Sequence, residues 1–215
     1  MTLDIYQHLS DEYIRNLPQV TFEIQEIIFP YESISVVPIY YIIEGYVSVF
    51  THSYSGRRFL VDELKKGEFI GKFSQMRKQN FHSAAIAMTP CTMLDLTPDK
   101  EKLFKDPNFS LFFNTKTTDR LYRMYKILMA KNLFSAEELL AHCFLETYTD
   151  EETFDVDDEY ICQKINISKR NYFYLLKKFK SQEIISRKGK KTTILDKESL
   201  IKTALRVTEF MKNKM

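Results

Sequence analysis

DDEYICQKINISKRNYFYLLKKFKSQEIISRKGKKTT, residues 157–193, divides into four pieces by its apolar spacing and its breaks. Asp157 and Asp158 open a short helix whose apolar side carries Tyr160, Ile161 and Ile165. Asn166, Ile167 and Ser168 interrupt it. Ser168 is a good N-cap for a second helix, because its hydroxyl can accept from a backbone N–H that the first turn of that helix leaves unpaired. The second helix is predicted over 169–182, with Tyr172, Leu175, Leu176 and Phe179 at helical spacing for a buried face. Ile184, Ile185 and Ser186 on one side, and residues 192–195 on the other, flank Arg187, Lys188, Gly189, Lys190 and Lys191. That pattern reads as a β-hairpin with Gly189 at its turn.

Two helices joined by a tight turn and closed by a basic hairpin are the parts of a winged helix-turn-helix. Asn166 stands at the turn, where a left-handed backbone is needed, and Asn accepts that conformation better than other non-glycine residues. Cys162 lies where the first helix must be small for the second to cross it, and is read as a packing residue. Lys169, Arg170, Lys177, Lys178, Lys180, Arg187, Lys188, Lys190 and Lys191 fall within 168–191, with Glu183 the one acid among them. Just upstream the sign reverses, at Asp150, Glu151, Glu152, Asp155, Asp157, Asp158 and Glu159. A whole-chain balance of +2 therefore conceals a basic face on one small unit. A run of charge by itself is a solvated face; on a helix and hairpin of this kind it reads as a phosphate-binding surface.

Upstream the grammar changes twice. Residues 3–17 hold two short helical turns, the second capped by Ser10 and closed by Pro18. Over 19–96, VTFEIQEIIF, IYYIIEGYVSVFT, RRFLVDELKKGEFIG and SAAIAMTPCTMLDL alternate apolar and polar residues and are parted by glycine and proline. Gly45, Gly56, Gly67 and Gly71 fall at the breaks, so the segment is expected to form an antiparallel β barrel or roll. A short helical connection over 98–105 leads into the longest predicted helix, 107–132. Phe109, Phe113, Leu121, Met124, Leu128 and Met129 are expected along one side of it, with Lys116, Arg120, Arg123 and Lys126 elsewhere. Within it, Thr117, Leu121, Met124 and Leu128 have heptad spacing, which suits either packing on the β domain or pairing with a second copy; pairing is the preferred reading. Ser135 caps a helix over 136–147 with Leu139, Leu140, Cys143 and Phe144 inward, and an amphipathic helix is predicted over 197–212. The fold class is thus α+β. Its expected domains are a sensor-type β-roll at 1–106, a linker and dimerisation helix at 107–133, and a winged helix-turn-helix at 134–215.

Composition bounds the alternatives. A chain of 215 residues with 44% hydrophobic and 14% aromatic residues can bury real cores. Three cysteines, at 91, 143 and 162, have neither disulfide-framework nor metal-site spacing, and no metal ligands are expected. The first residues lack the basic and apolar regions of a signal peptide, and the longest apolar run is broken by Glu44, so a cytoplasmic protein without a membrane partner is expected. No nucleophile elbow, P-loop or dinucleotide fingerprint is present, and His52 and His82 are isolated where a metal-binding barrel enzyme would need clusters. A non-enzyme is expected. The alternatives are a winged-helix module for protein contacts and a cupin-like β-barrel enzyme.

In its order of parts the chain resembles the Crp/Fnr family of bacterial transcription regulators. The resemblance rests on YYIIEGYVSVF and then GRRFLVDELKKGEFIG, similar to the family's strand, glycine and strand and its turn, and on ICQKINISKRNYFYLLKKFKSQEIISRKGKKTTILDKESL, similar to its helix-turn-helix and wing. It implies that Lys169, Arg170 and Tyr174 read bases. It also implies that Asn171 reads adenine or binds phosphate, and that Ser168 and Lys177 hold phosphates. Arg187, Lys188, Lys190 and Lys191 would add wing contacts to the DNA backbone. The implied partners are double-stranded DNA carrying an inverted repeat, a second copy of the chain, and RNA polymerase. An effector pocket would be formed around Gly71, Lys72, His82 and Ser83. The family's nucleotide cassette has Glu after the turn glycine and Arg about a dozen residues on; here those places hold Lys72 and Ser83. A buried phosphate without a cation is poorly compensated, so cAMP is not supported. Nor is an iron–sulfur cluster, since the first cysteine is Cys91, nor haem, since His8, His52, His82 and His142 match no ligand pattern. A non-cAMP ligand or constitutive activity is the expectation.

Overall fold

The computed structural model describes residues 4–31, 38–53, 56, 58–71, 83–147 and 153–212. Contacts divide the chain into two compact units, Met1–Tyr122 and Arg123–Met215, and the boundary falls inside the longest helix.

The first unit opens with a 3-10 turn, Ile5–Gln7, and helix α1, Asp11–Asn16, capped by the Ser10 hydroxyl, which accepts from Tyr13 N. Among the described residues eight strands come next: β1 Gln19–Phe22, β2 Ile27–Phe29, β3 Tyr40–Glu44, β4 Tyr46–His52, β5 Arg58–Lys65, β6 Phe69–Ile70, β7 Ala84–Ala87 and β8 Cys91–Asp95. They form two four-stranded antiparallel sheets, ordered β1-β8-β3-β6 and β2-β7-β4-β5. This is the roll expected from the alternating segments. Ile42, Val47, Leu64, Ile70, Ala87 and Met93 fill its interior. Gly71 follows β6 with φ +90, and a Cβ there would lie 1.8 Å from the Pro38 carbonyl oxygen. Only glycine meets both conditions.

Helix α2, Lys100–Lys105, leads into α3, Pro107–Leu133. The first turns of α3 bury Phe109, Phe112 and Phe113 against Tyr41 and Phe69, with ring centroids 4.7–6.3 Å apart for the Phe69 and Tyr41 pairs. Further along, Arg120 pairs with Asp62 of β5 and donates to the Phe69 carbonyl oxygen at 3.1 Å. Asp62 is buried, and a carboxylate taken out of water needs such a counter-ion. The expected one-sided stripe of α3 is therefore split. Phe109 and Phe113 belong to the unit's own core, whereas Leu121 and Leu128 are each 60% exposed. Residues twelve to nineteen positions apart drift around a straight 3.6-residue helix, so one apolar list became two faces.

In the second unit, α4, Ala136–Thr147, starts with a reciprocal capping box: Ser135 Oγ accepts from Glu138 N, and Glu138 accepts from Ser135 N. Strand β9, Thr153–Asp155, precedes α5, Asp158–Ile165, and α6, Lys169–Ser181. The hairpin is β10, Ile185–Lys188, and β11, Lys191–Ile194, and helix α7 is Lys197–Lys212. Strand order is β10-β11-β9, so β9 supplies a third strand. The acidic turn read from the sequence concealed it: Phe154 and Val156 point inward between exposed acids. The core gathers Leu140, Phe144, Ile161, Cys162, Ile165, Tyr172, Leu176, Phe179, Ile185, Leu200, Ala204 and Val207. Cys162 is buried there as a packing residue. Lys126, from the later part of α3, is also buried and donates to the Met211 carbonyl oxygen at 2.6 Å, near the C-terminal end of α7. A cation is favoured at that end of a helix.

Candidate nucleic-acid interface

The turn between α5 and α6 is built by local rules. Asp157 caps α5, accepting from Glu159 N and Tyr160 N. Asn166 has φ 57 and ψ 48, the left-handed conformation that the sequence required there. Ile167 N donates to the Cys162 carbonyl oxygen at 3.0 Å and closes the turn. Ser168 Oγ then accepts from Asn171 N at 3.2 Å and starts α6. At the other end Glu183 takes φ 57, Glu183 N donates to Lys180 O, and Ile184 N donates to Phe179 O. This is a Schellman closure with an acidic residue where glycine is usual. It turns the chain sharply into the hairpin.

Tyr172, Leu175, Leu176 and Phe179 face the core, which fixes the rotation of α6. Arg170, Asn171, Tyr174 and Lys177 consequently point outward and are exposed, Tyr174 by 66%. Lys169 is exposed and reaches Glu159 at 3.2 Å. In the hairpin, Gly189 has φ +64 at the first of two turn positions, and Lys188, Lys190 and Lys191 are exposed. Among the described residues, Arg170, Lys177, Lys180, Lys188, Lys190 and Lys191 form no ion pair. Their positive charge is directed to solvent. Lys178 is turned aside, bound to Glu137 of α4 at 2.6 Å.

Arg187 is held differently from the other cations of the hairpin. Its guanidinium meets Asp158 at 2.6 Å, donates to Tyr172 Oη at 3.1 Å, and donates from Nε to the Gly189 carbonyl oxygen at 2.8 Å. Tyr172 Oη donates in turn to Asp158 at 2.8 Å. The Arg187 side chain is only 9% exposed, and these contacts lock the hairpin to α5 and α6. Burial, reinforced by the hydrogen bond to Asp158, pushes the Tyr172 hydroxyl above the usual phenol range, so it stays a donor. The Asp158 carboxylate and the phenol oxygen beside it raise the Arg187 guanidinium further against the opposing effect of burial. A spacing-based reading counts Arg187 with the other wing cations. Nothing in the order of residues shows that Asp158, twenty-nine positions earlier, faces it.

Phe173 escaped the sequence reading. It is 51% exposed on the outward side of α6, although its neighbours in sequence are the buried Tyr172 and the exposed Tyr174. An apolar residue beside an apolar stripe is assigned to the core by default; only the rotation fixed by Tyr172 and Phe179 puts it outside. Of the candidate effector residues, Gly71 directly follows β6 and Ser83 stands just before β7, while Lys72 and His82 lie outside the described residues. No set of three or more His, Cys, Asp or Glu among the described residues is placed to hold a metal ion. No helix among them is long and apolar enough to cross a membrane.

Residues 19–102 match the family model described as the cyclic nucleotide-binding domain. No curated protein sequence matches the chain. Among solved structures, a protein of Eubacterium rectale described as a transcriptional regulator of the Crp/Fnr family superposes with a TM-score of 0.81 at 15% identity, covering 95% of this chain and 99% of that one. TTHB099 of Thermus thermophilus, a transcriptional regulator of the CRP family, gives 0.73 at 16% identity, covering 86% and 96%. The c-di-GMP responsive global regulator CLP of Xanthomonas campestris gives 0.73 at 13% identity over the same shares. At such identities the likeness is one of fold, and it extends from the roll through the helix-turn-helix. The chain therefore carries a cyclic nucleotide-binding-type domain at 19–102 and, over nearly its whole length, has the fold of the Crp/Fnr transcription regulators.

Proposed function

We propose that this protein is a sequence-reading transcription regulator, not an enzyme. It would bind double-stranded DNA as a homodimer and work in the cytoplasm together with RNA polymerase. The observation that carries the reading is the outward face of α6: Arg170, Asn171, Tyr174 and Lys177 are exposed on a helix whose other face is locked into a core. The N-terminal residues of such a helix enter the major groove. Arg170 is suited to bidentate pairing with guanine O6 and N7, and Lys169 reaches the same acceptors. Tyr174 gives a base preference different from that of an arginine at its place. Asn171 reads adenine or holds a phosphate; Ser168, Lys177, Lys188, Lys190 and Lys191 hold phosphates, which set affinity and register. The exposed Leu121, Tyr125 and Leu128 of α3 would pair with their copies, supported by the heptad spacing and by the apolar area they leave open. Two copies of α6 would then occupy successive major grooves about 34 Å apart on an inverted repeat.

Control is by a ligand other than cAMP, or binding is constitutive, because Ser83 stands where the fold's nucleotide-binding members are expected to present an arginine. Selection from a random duplex library by the purified protein, with no ligand added and near physiological salt, tests the whole reading. An enriched inverted repeat with half-sites about one helical turn apart is expected. Recovery of only weak, sequence-blind and salt-sensitive binding, with no repeat under any ligand condition, would overturn it.

A further inference from the structure

The inward face of α6 is complete without Phe173, yet the helix carries this ring outward, half exposed among cations. Its position is fixed from behind. The ring meets Tyr172 edge-on with centroids 5.4 Å apart, and Tyr172 is fully buried and held by Asp158 and Arg187. Phe173 lines a groove of about 570 Å³ that runs from α6 to the hairpin turn at Gly189, together with Leu176, Lys177 and Lys180. Lys177 and Lys180 lie four and seven positions further along the same side of the helix. A phosphate in this groove would satisfy those lysines and leave the ring stripped of water without a partner. One group on the major-groove edges of the bases is apolar: the 5-methyl of thymine.

We propose that Phe173 is a specificity-determining residue whose ring packs on the 5-methyl of one thymine in each half-site. The proposal rests on the DNA-binding reading above. Lys177 and Lys180 position the ring by holding the neighbouring backbone, and Tyr172 holds it from within the core.

The test uses the operator recovered by selection and duplexes in which uracil replaces thymine, one position at a time and symmetrically in both half-sites. Uracil keeps every hydrogen-bonding group and lacks only the methyl. At one position the wild-type protein is expected to lose about fourfold in affinity per half-site, the value of burying one methyl group. Phe173→Ala and Phe173→Gln, the second keeping length and helix propensity, are expected to bind the thymine and uracil duplexes equally. Phe173→Leu should retain part of the discrimination. The proposal fails if no uracil duplex binds the wild-type protein more weakly, if the half-sites contain no thymine, or if both replacements preserve the thymine preference. In those cases an inverted repeat is still recovered and the DNA-binding reading stands. Absence of any repeat overturns both.

Discussion

Asp158, Tyr172 and Arg187 bind the helix-turn-helix to its hairpin through three side chains that the sequence keeps far apart. Asp158→Asn removes the charge and leaves Arg187 nine-tenths buried without a counter-ion. A loss of about 1–3 kcal/mol in urea denaturation is expected. With Arg187→Met already in place the same substitution should cost much less, since the cation it would strand is gone. His142 offers a second test. Its Nδ1 lies 3.0 Å from Thr208 Oγ1, and burial lowers its proton affinity below the ordinary imidazole value. Glu146 opposes that effect, while Lys164 and Lys212 reinforce it. The unfolded chain, with an ordinary pKa near 6.5, then binds a proton that the folded chain refuses. Stability is thus fully present above about pH 6.5 and lost as pH falls below it. His142→Gln should flatten the difference between denaturation curves at neutral and mildly acidic pH.

Among the elements, α3 shows most directly how a periodic list can mislead. Its aromatic start is consumed by the roll, and its later leucines are left open. If these leucines form the seam between two copies, Leu121→Glu together with Leu128→Glu sets like charges opposite one another, a cost of several kcal/mol. The dimer dissociation constant should rise roughly a hundredfold or more, as read by sedimentation, with the first unit's thermal transition unchanged. Helix α6 was more legible. Its start, its end and its buried face are set by Ser168, by the turn after Gln182, and by the spacing of Tyr172, Leu175, Leu176 and Phe179. The exposure of Phe173 was not legible, because a single apolar residue at a flanking angle can face either way. The third strand, Thr153–Asp155, was hidden for a related reason: its pairing with Lys191–Ile194 is made at a separation of about forty residues.

For the whole molecule, a formal charge of +2 understates what a polyanion would meet. Arg170, Lys177, Lys180, Lys188, Lys190 and Lys191 face solvent, while Lys178 and Arg187 are spent on internal acids. Binding to DNA should therefore weaken steeply with salt. Replacing Lys188, Lys190 and Lys191 by alanine should lower the slope of log affinity against log salt by about 0.9 for each phosphate contact removed, equally for operator and random DNA. Arg187→Ala should leave that slope nearly unchanged. Arg170→Ala should instead cost about 1–3 kcal/mol on the operator and relax one base position.

Apart from the strand Thr153–Asp155, the order of elements, the antiparallel roll, the caps and the left-handed turn at Asn166 were determined by the sequence alone. Each depends on residues within a few positions of one another: alternation for strands, 3.6-residue spacing for helices, and small polar side chains at helix starts. The tertiary structure alone decided which exposed-looking groups are free. It turned Arg187 inward, buried Asp62 under Arg120, divided the apolar stripe of α3, and left Phe173 outside. These outcomes depend on which distant surfaces meet, and a buried charge or an exposed ring takes its energy from neighbours that local spacing does not specify.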